Sequence, residues 1–164
     1  MNENLLKTLP RPVREHLSNI PDTLFDTDKS VIELRAAQAS TRRAFDESNA
    51  ELDRVRSVIA SANESAQTAR QHLADIEAQR GEALAREYLD GGLFEDDDRT
   101  LNEIHALRTT IERVTLAQPS LERLRRERNR AVEIAHDRDY GVSQKIADRI
   151  AELKLAEAYR RAGA

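Results

Sequence analysis

The chain holds 164 residues with 34 % charged side chains, 4 % aromatics, no cysteine and no tryptophan, enough for one domain but short of the large side chains that fill a compact enzyme core. Five glycines and four prolines are too few turn residues for a many-stranded sheet, and the lack of cysteine excludes disulfides and thiolate metal sites, which fits the cytoplasm or a particle assembled there. The formal charge of -4 is unevenly spread, with residues 1–90 summing to -4, 91–99 to -3 and 100–164 to +3.

Residues 1–28 form a proline-containing arm. Pro10, Pro12 and Pro21 interleave with Leu5, Leu6, Leu9, Val13, Leu17, Ile20 and Phe25, so only short helical pieces are expected, apolar enough to dock on something. Leu5, Leu6, Leu9, Leu17 and Phe25 are its candidate partner-binding residues. No run of about 18 apolar residues occurs and the opening residues are polar, so neither a membrane span, a membrane partner nor a signal peptide is expected.

Residues 29–164 read as a helical hairpin. The first helix, 29–90, has no proline and a single glycine, Gly81, and Ser30 with Glu33 makes a capping box at its start. At 1.5 Å per residue it would run about 90 Å, the regime of coiled coils. Stepping alternately by three and four from Val31 to Glu87 visits seventeen positions, of which twelve are apolar, and that seven-residue period predicts a left-handed supercoil.

An acidic Gly-Gly turn spans 91–98. A second helix, 99–161, follows a capping box of Thr100 with Glu103 and carries a matching phase from Ile104 through Leu107, Ile111, Val114, Leu121, Val132 and Ala135. Pro119 predicts a kink or short break near 115–119, and Gly141 a weak point near Asp139.

The predicted fold class is therefore all-α, a long antiparallel helical hairpin of coiled-coil type that associates into a helical bundle. Facing residue numbers in such a hairpin add to a constant. The value 187, centred on Leu93 and Phe94, pairs Leu73 with Val114 and Ile76 with Ile111, and makes nine of seventeen layers apolar on both sides against five of sixteen for the value 194. It also sets Glu51 opposite Arg138, Glu77 opposite Arg108 and Arg86 opposite Glu103.

No nucleophile, base and oxyanion set assembles from these residues, so no enzyme, cofactor or metal is expected. His16, His72, His105 and His136 are never three or four apart, as a helical metal site requires. The run His136-Asp137-Arg138-Asp139 lacks the glycine-rich loop and lysine strand of a kinase, and Glu95 to Asp98 lacks EF-hand spacing.

Two surfaces stand out. Residues 121–130 hold five arginines, Arg123, Arg125, Arg126, Arg128 and Arg130, against two glutamates, a group suited to phosphate or acidic partners. Arg125 and Arg128 fall on seam positions, while Leu124, Ile134, Ile150, Leu155 and Tyr159 fall off the two-helix seam and are expected to be covered by self-association. The function expected is a non-enzymatic structural or assembly protein, whether scaffold, virion or complex component or assembly chaperone, that self-associates and binds other proteins. The alternative is a nucleic-acid-binding or regulatory module acting through the arginines.

Overall fold

The computed structural model describes residues 8–163, of which 89 % are helical with no strand among them. Three α-helices occur in this range, α1 (Arg11–Ser18), α2 (Lys29–Asp90) and α3 (Asp98–Arg161), with a 3-10 turn at Asp22–Phe25. α2 and α3 pack against each other as a hairpin. Two compact units divide the chain, one of residues up to 49 with those from 130 onward, the other of residues 50–129.

In the first unit, proline places the short helical pieces. Pro10 is the N-cap of α1 and Pro12 sits in its first turn, where a missing N–H costs no hydrogen bond, and Pro21 caps the 3-10 turn. This brings Val13, Leu17 and Ile20 onto Ala158 of α3, all under a tenth exposed, with Leu9, Phe25, Leu155, Tyr159 and Ala162 packed around them. Lys154 Nζ meets Asp22 Oδ1 at 2.7 Å and fastens the 3-10 turn to α3. Leu5 and Leu6 lie outside the described residues.

α2 begins differently from the sequence expectation. Its cap is Asp28, whose Oδ1 accepts the Ser30 and Val31 backbone N–H groups at 3.0 and 3.3 Å. The Ser30 hydroxyl, also donating to Asp28, accepts Arg149 Nε at 2.7 Å. α3 repeats the substitution: Asp97 Oδ1 accepts the Thr100 N–H at 2.6 Å. A carboxylate adds full charge to the positive end of the helix, which a hydroxyl does not. Both carboxyls are held below the usual aspartate range, Asp28 chiefly by the Ser30 hydroxyl and Asp97 chiefly by the Thr100 backbone N–H.

All seventeen positions of the predicted α2 phase are buried or half-buried. α3 follows its phase through Ile104, Leu107, Ile111, Val114 and Leu121, then departs from it. Leu124 is half-buried whereas Arg125 and Arg128, the expected seam positions, are exposed, and burial resumes at Ala131, Val132 and Ala135. A guanidinium cannot be left dry without a partner, so the neighbouring leucine takes the inner position. The helix runs unbroken through both Pro119 and Gly141; residues 115–120 are all exposed, so the Thr115 carbonyl that Pro119 cannot bond to need not be left dry.

The pairing also differs by one heptad from the expected sum of 187. In the first unit Thr41 Oγ1 donates to Asp139 Oδ1 at 2.9 Å, a sum of 180, and Gln38 Nε2 to Ser143 Oγ at 2.9 Å, a sum of 181. In the second unit His72 meets Glu103 at 3.4 Å and Glu77 meets Arg108 at 3.1 Å, sums of 175 and 185 that straddle 180. Glu77 and Arg108 are thus the one expected cross-pair that forms, whereas Glu51 pairs with Arg54 and Arg86 with Glu82.

The loop accommodates the shift. α2 ends in a Schellman motif, with Gly91 at φ 73° and the Gly92 N–H donating to the Glu87 carbonyl at 2.9 Å. Residues 91–97 then return beside α2, with Arg80 Nε bonded to Asp96 Oδ1 at 2.6 Å and Phe94 half-buried. About four extended residues at roughly 3.3 Å each cover the rise of the eight or nine helical ones at the end of α2. The last two turns of α2 therefore face the returning loop and not α3. The shifted register sets Ile76 against Ile104 and Leu73 against Leu107, and lays Ala66 and Ala69 across from Val114 and Ile111, so that small faces large.

Candidate functional site

The residues offered to a partner lie at three places. At the end of the second unit, α2 carries Leu84, Tyr88 and Leu89, and the loop carries Leu93. Leu93 is 91 % exposed, Leu89 86 % and Tyr88 78 %, the three most exposed large apolar side chains among the described residues. They cannot join the seam because heptad positions Ala83 and Glu87 already face inward and the loop occupies the space where α3 would be. Around them residues 82–98 hold seven acids and one base, a net charge of -6. Of these acids Asp96 is committed to Arg80, whose guanidinium is held above its ordinary value by that bond, Asp97 to the α3 cap, and Glu82 to Arg86.

The second place is the arginine stretch of α3. Arg123, Arg125, Arg126, Arg128 and Arg130 are all exposed. Arg125 pairs with Glu122 at 3.0 Å; the other four show no ion pair among the described residues. Arg123 and Arg126 lie on the outward face, opposite the seam, and Leu116, seven residues before Arg123, shares that face at 72 % exposure.

The third is an open groove of about 570 Å³ beside the arm, lined by Arg14, Leu17, Ser18 and Asp22 on one side and Ala147, Ile150, Ala151 and Lys154 of α3 on the other. Its floor is apolar and its rim carries two cations and one carboxylate.

These placements reassign several of the sequence-derived candidates. Leu9, Leu17 and Phe25 spend their apolar surface within the chain, on the same C-terminal turns of α3 that hold Leu155 and Tyr159. Ile150 is 9 % exposed beside Leu17. Three of the five residues expected to need a second copy are thus covered by the chain's own arm; Leu124 is half-buried in the seam and Ile134 stays 47 % exposed. The signal for this was present in the matching apolar surplus of the arm and of residues 150–159.

The histidines and acids are occupied in ordinary ways. His136 stacks at a tilt against Phe45, 5.8 Å between centroids, and Arg42 lies 5.3 Å over the same ring. Asp139, the last residue of the His136-Asp137-Arg138-Asp139 run, accepts from Thr41 and meets Arg42 at 3.5 Å. Among the described residues no group of three histidines or acids is disposed to hold a metal ion, and no helix is long and apolar enough to cross a membrane. No protein family, curated protein or solved structure matches this chain.

Proposed function

We propose that the chain is a non-enzymatic assembly protein, a helical hairpin that self-associates and presents an adhesive end to other proteins. The observation that carries this reading is the grouping of Tyr88, Leu89 and Leu93 at the hairpin tip. Exposed apolar side chains scattered singly need no explanation, but the three most exposed ones, falling within six residues of one another in an acidic stretch, have the make-up of a contact surface. In the first unit, by contrast, the arm covers the apolar surface around Ala158. A scaffold, a virion or complex component and an assembly chaperone all use a surface of this kind, and the cytoplasm or a particle assembled there suits a cysteine-free chain.

The test is affinity capture from native cells with mass spectrometry, run in parallel on the native chain and on a Tyr88→Ser, Leu89→Ser, Leu93→Ser variant. Proteins captured by the first and lost by the second support the reading, and identical profiles overturn it.

One observation favours a second reading. Arg123, Arg126, Arg128 and Arg130 are exposed with no ion pair among the described residues, and arginine forks left open in this way suit phosphate. If they bind nucleic acid, replacing Arg123, Arg126 and Arg130 by glutamine flattens the salt dependence by roughly one unit of slope per lost contact. Absence of a mobility shift with DNA or RNA at micromolar protein in low salt removes this reading.

A further inference from the structure

The tip and the Leu116, Arg123 and Arg126 face lie in the same unit and are opposite in charge. Residues 82–98 carry -6 and residues 121–129, the part of the arginine stretch in this unit, carry +2, from four arginines and two glutamates. Both are also apolar: the four most exposed large apolar side chains among the described residues are Leu93, Leu89 and Tyr88 at the tip and then Leu116, on the outward face of α3 that bears Arg123 and Arg126. A surface of apolar residues among acids of which Glu87, Asp90, Glu95 and Asp98 make no ion pair among the described residues, and a surface of an apolar residue beside two arginines in the same state, are complements on one chain.

We propose that the hairpin tip of one copy docks on the Leu116, Arg123 and Arg126 face of a second copy, and that the second copy's tip docks reciprocally on the first. The inference rests on the self-association proposed above and names its surfaces. The spacing allows reciprocity. From Asp98 to Arg126 the axis of α3 runs about 42 Å at 1.5 Å per residue, so two hairpins laid antiparallel, with a two-fold axis near the middle of that stretch, make both contacts at once. Such a pair is closed, whereas the same contact made once per copy would propagate into a filament. In this arrangement the apolar residues exclude water and the charges set partner, orientation and register. Contacts of this kind between exposed charges weaken as salt shortens the Debye length.

The absence of cysteine makes the contact addressable. A chain carrying Leu93→Cys is mixed with one carrying Leu116→Cys under mild oxidation, and mass is followed by sedimentation across a range of concentration and salt. The expected result is a dimer whose disulfide forms between the two different chains faster than within either homogeneous sample. Arg123→Glu with Arg126→Glu weakens dimerisation at least tenfold, and adding Asp90→Arg with Glu95→Arg to that chain restores it, because charge is exchanged across the same contact. Circular dichroism on each variant checks that the helices persist.

Preferential linking of Leu93→Cys chains to each other would show a tip-to-tip contact and overturn the inference. Oligomers that survive the arginine reversal would overturn it while leaving self-association standing. A monomer at every concentration would overturn both. Loss of DNA or RNA binding in the arginine variant, with dimerisation unchanged, would assign the face to a polyanion instead.

Discussion

Replacing Ile20 by alanine isolates the energetics of the arm. Ile20 is 2 % exposed and sits between Val13, Leu17 and Ala158. The substitution removes three carbons, each contributing about 0.8 kcal/mol on burial, or roughly 2.4 kcal/mol of transfer free energy. The hole left behind adds to this, since α1 is anchored by Pro10 and by the 3-10 turn and cannot collapse fully, giving about 3 kcal/mol in total. The loss is local, because among the described residues the arm touches the rest of the chain through one small cluster and the Asp22–Lys154, Asp26–Arg35 and Asp28–Arg149 pairs, and a segment held by few contacts opens as its own unit. Amide hydrogen exchange reads it directly. Where exchange follows the opening equilibrium, α1 amides in the Ile20→Ala chain exchange on the order of a hundredfold faster, at 1.4 kcal/mol per factor of ten, while amides near Ile76 and Ile104 keep their rates. Ile20→Val should cost only about 1 kcal/mol, roughly a fivefold change. Unchanged α1 exchange in the alanine variant would refute the packing described for the arm, and equal acceleration in both units would refute its independence.

Other outcomes follow from single positions. Gly81 lies mid-helix and exposed with open space where a Cβ would be, so Gly81→Ala should raise stability by about 0.5–1 kcal/mol, whereas Gly91→Ala, at φ 73°, should lower it by about 1 kcal/mol; thermal melting compares the two. Glu157 is held down from 4.5 to about 2 by hydrogen bonds from Arg160 and then Arg161. Its folded value lies below its unfolded one, so its contribution is complete above pH 4.5 and disappears as pH falls through about 2; denaturant titrations across that window should show a smaller acid loss in Glu157→Gln. Asp96→Ala removes the bond that holds the returning loop to Arg80, so limited proteolysis within residues 91–97 should accelerate with no change in helix content.

The regularity of α2 was legible because its burial has one cause: each heptad position faces α3 or the returning loop, so hydrophobic spacing alone locates the seam. α3 has several causes acting on it. Its C-terminal turns meet α2 on one side and the arm on another, which is why Ile150, Leu155 and Tyr159 read as surplus. In its middle, the spacing rule points at Arg125 and Arg128, and the desolvation of a guanidinium overrides it in favour of Leu124. The caps were misplaced for a related reason: a Ser or Thr with a Glu three residues on satisfies the capping-box pattern, yet an aspartate two or three residues earlier is the stronger acceptor at both helices. The one-heptad error in pairing came from assuming a symmetric turn. A seven-residue repeat makes registers seven apart nearly equivalent in apolar layers, and nothing in the pattern announces that the loop doubles back. Of the surfaces offered to partners, the arginine stretch stands out in sequence and Tyr88 and Leu89 already fall off the heptad phase near the turn, whereas the returning loop that keeps them from facing α3 leaves no mark in the pattern.

The polar contacts Thr41–Asp139 and Gln38–Ser143 bear on how this chain tolerates insertions and deletions. Sliding one helix by a heptad keeps most leucines and isoleucines in apolar company, so the apolar seam alone would permit slippage. Under the sum of 187 the Thr41 position faces Ile146 and that of Asp139 faces Ser48, and the two contacts are broken together. The loop, with seven residues where far fewer span two adjacent helices, has slack and holds no particular offset. Alignment of the hairpin therefore works like a notched ruler, the notches being polar side chains remote from the bend. Chains descended from a common ancestor with this one should be free to lengthen or shorten residues 91–97, while any drift at Thr41 or Gln38 should be matched by a change at Asp139 or Ser143.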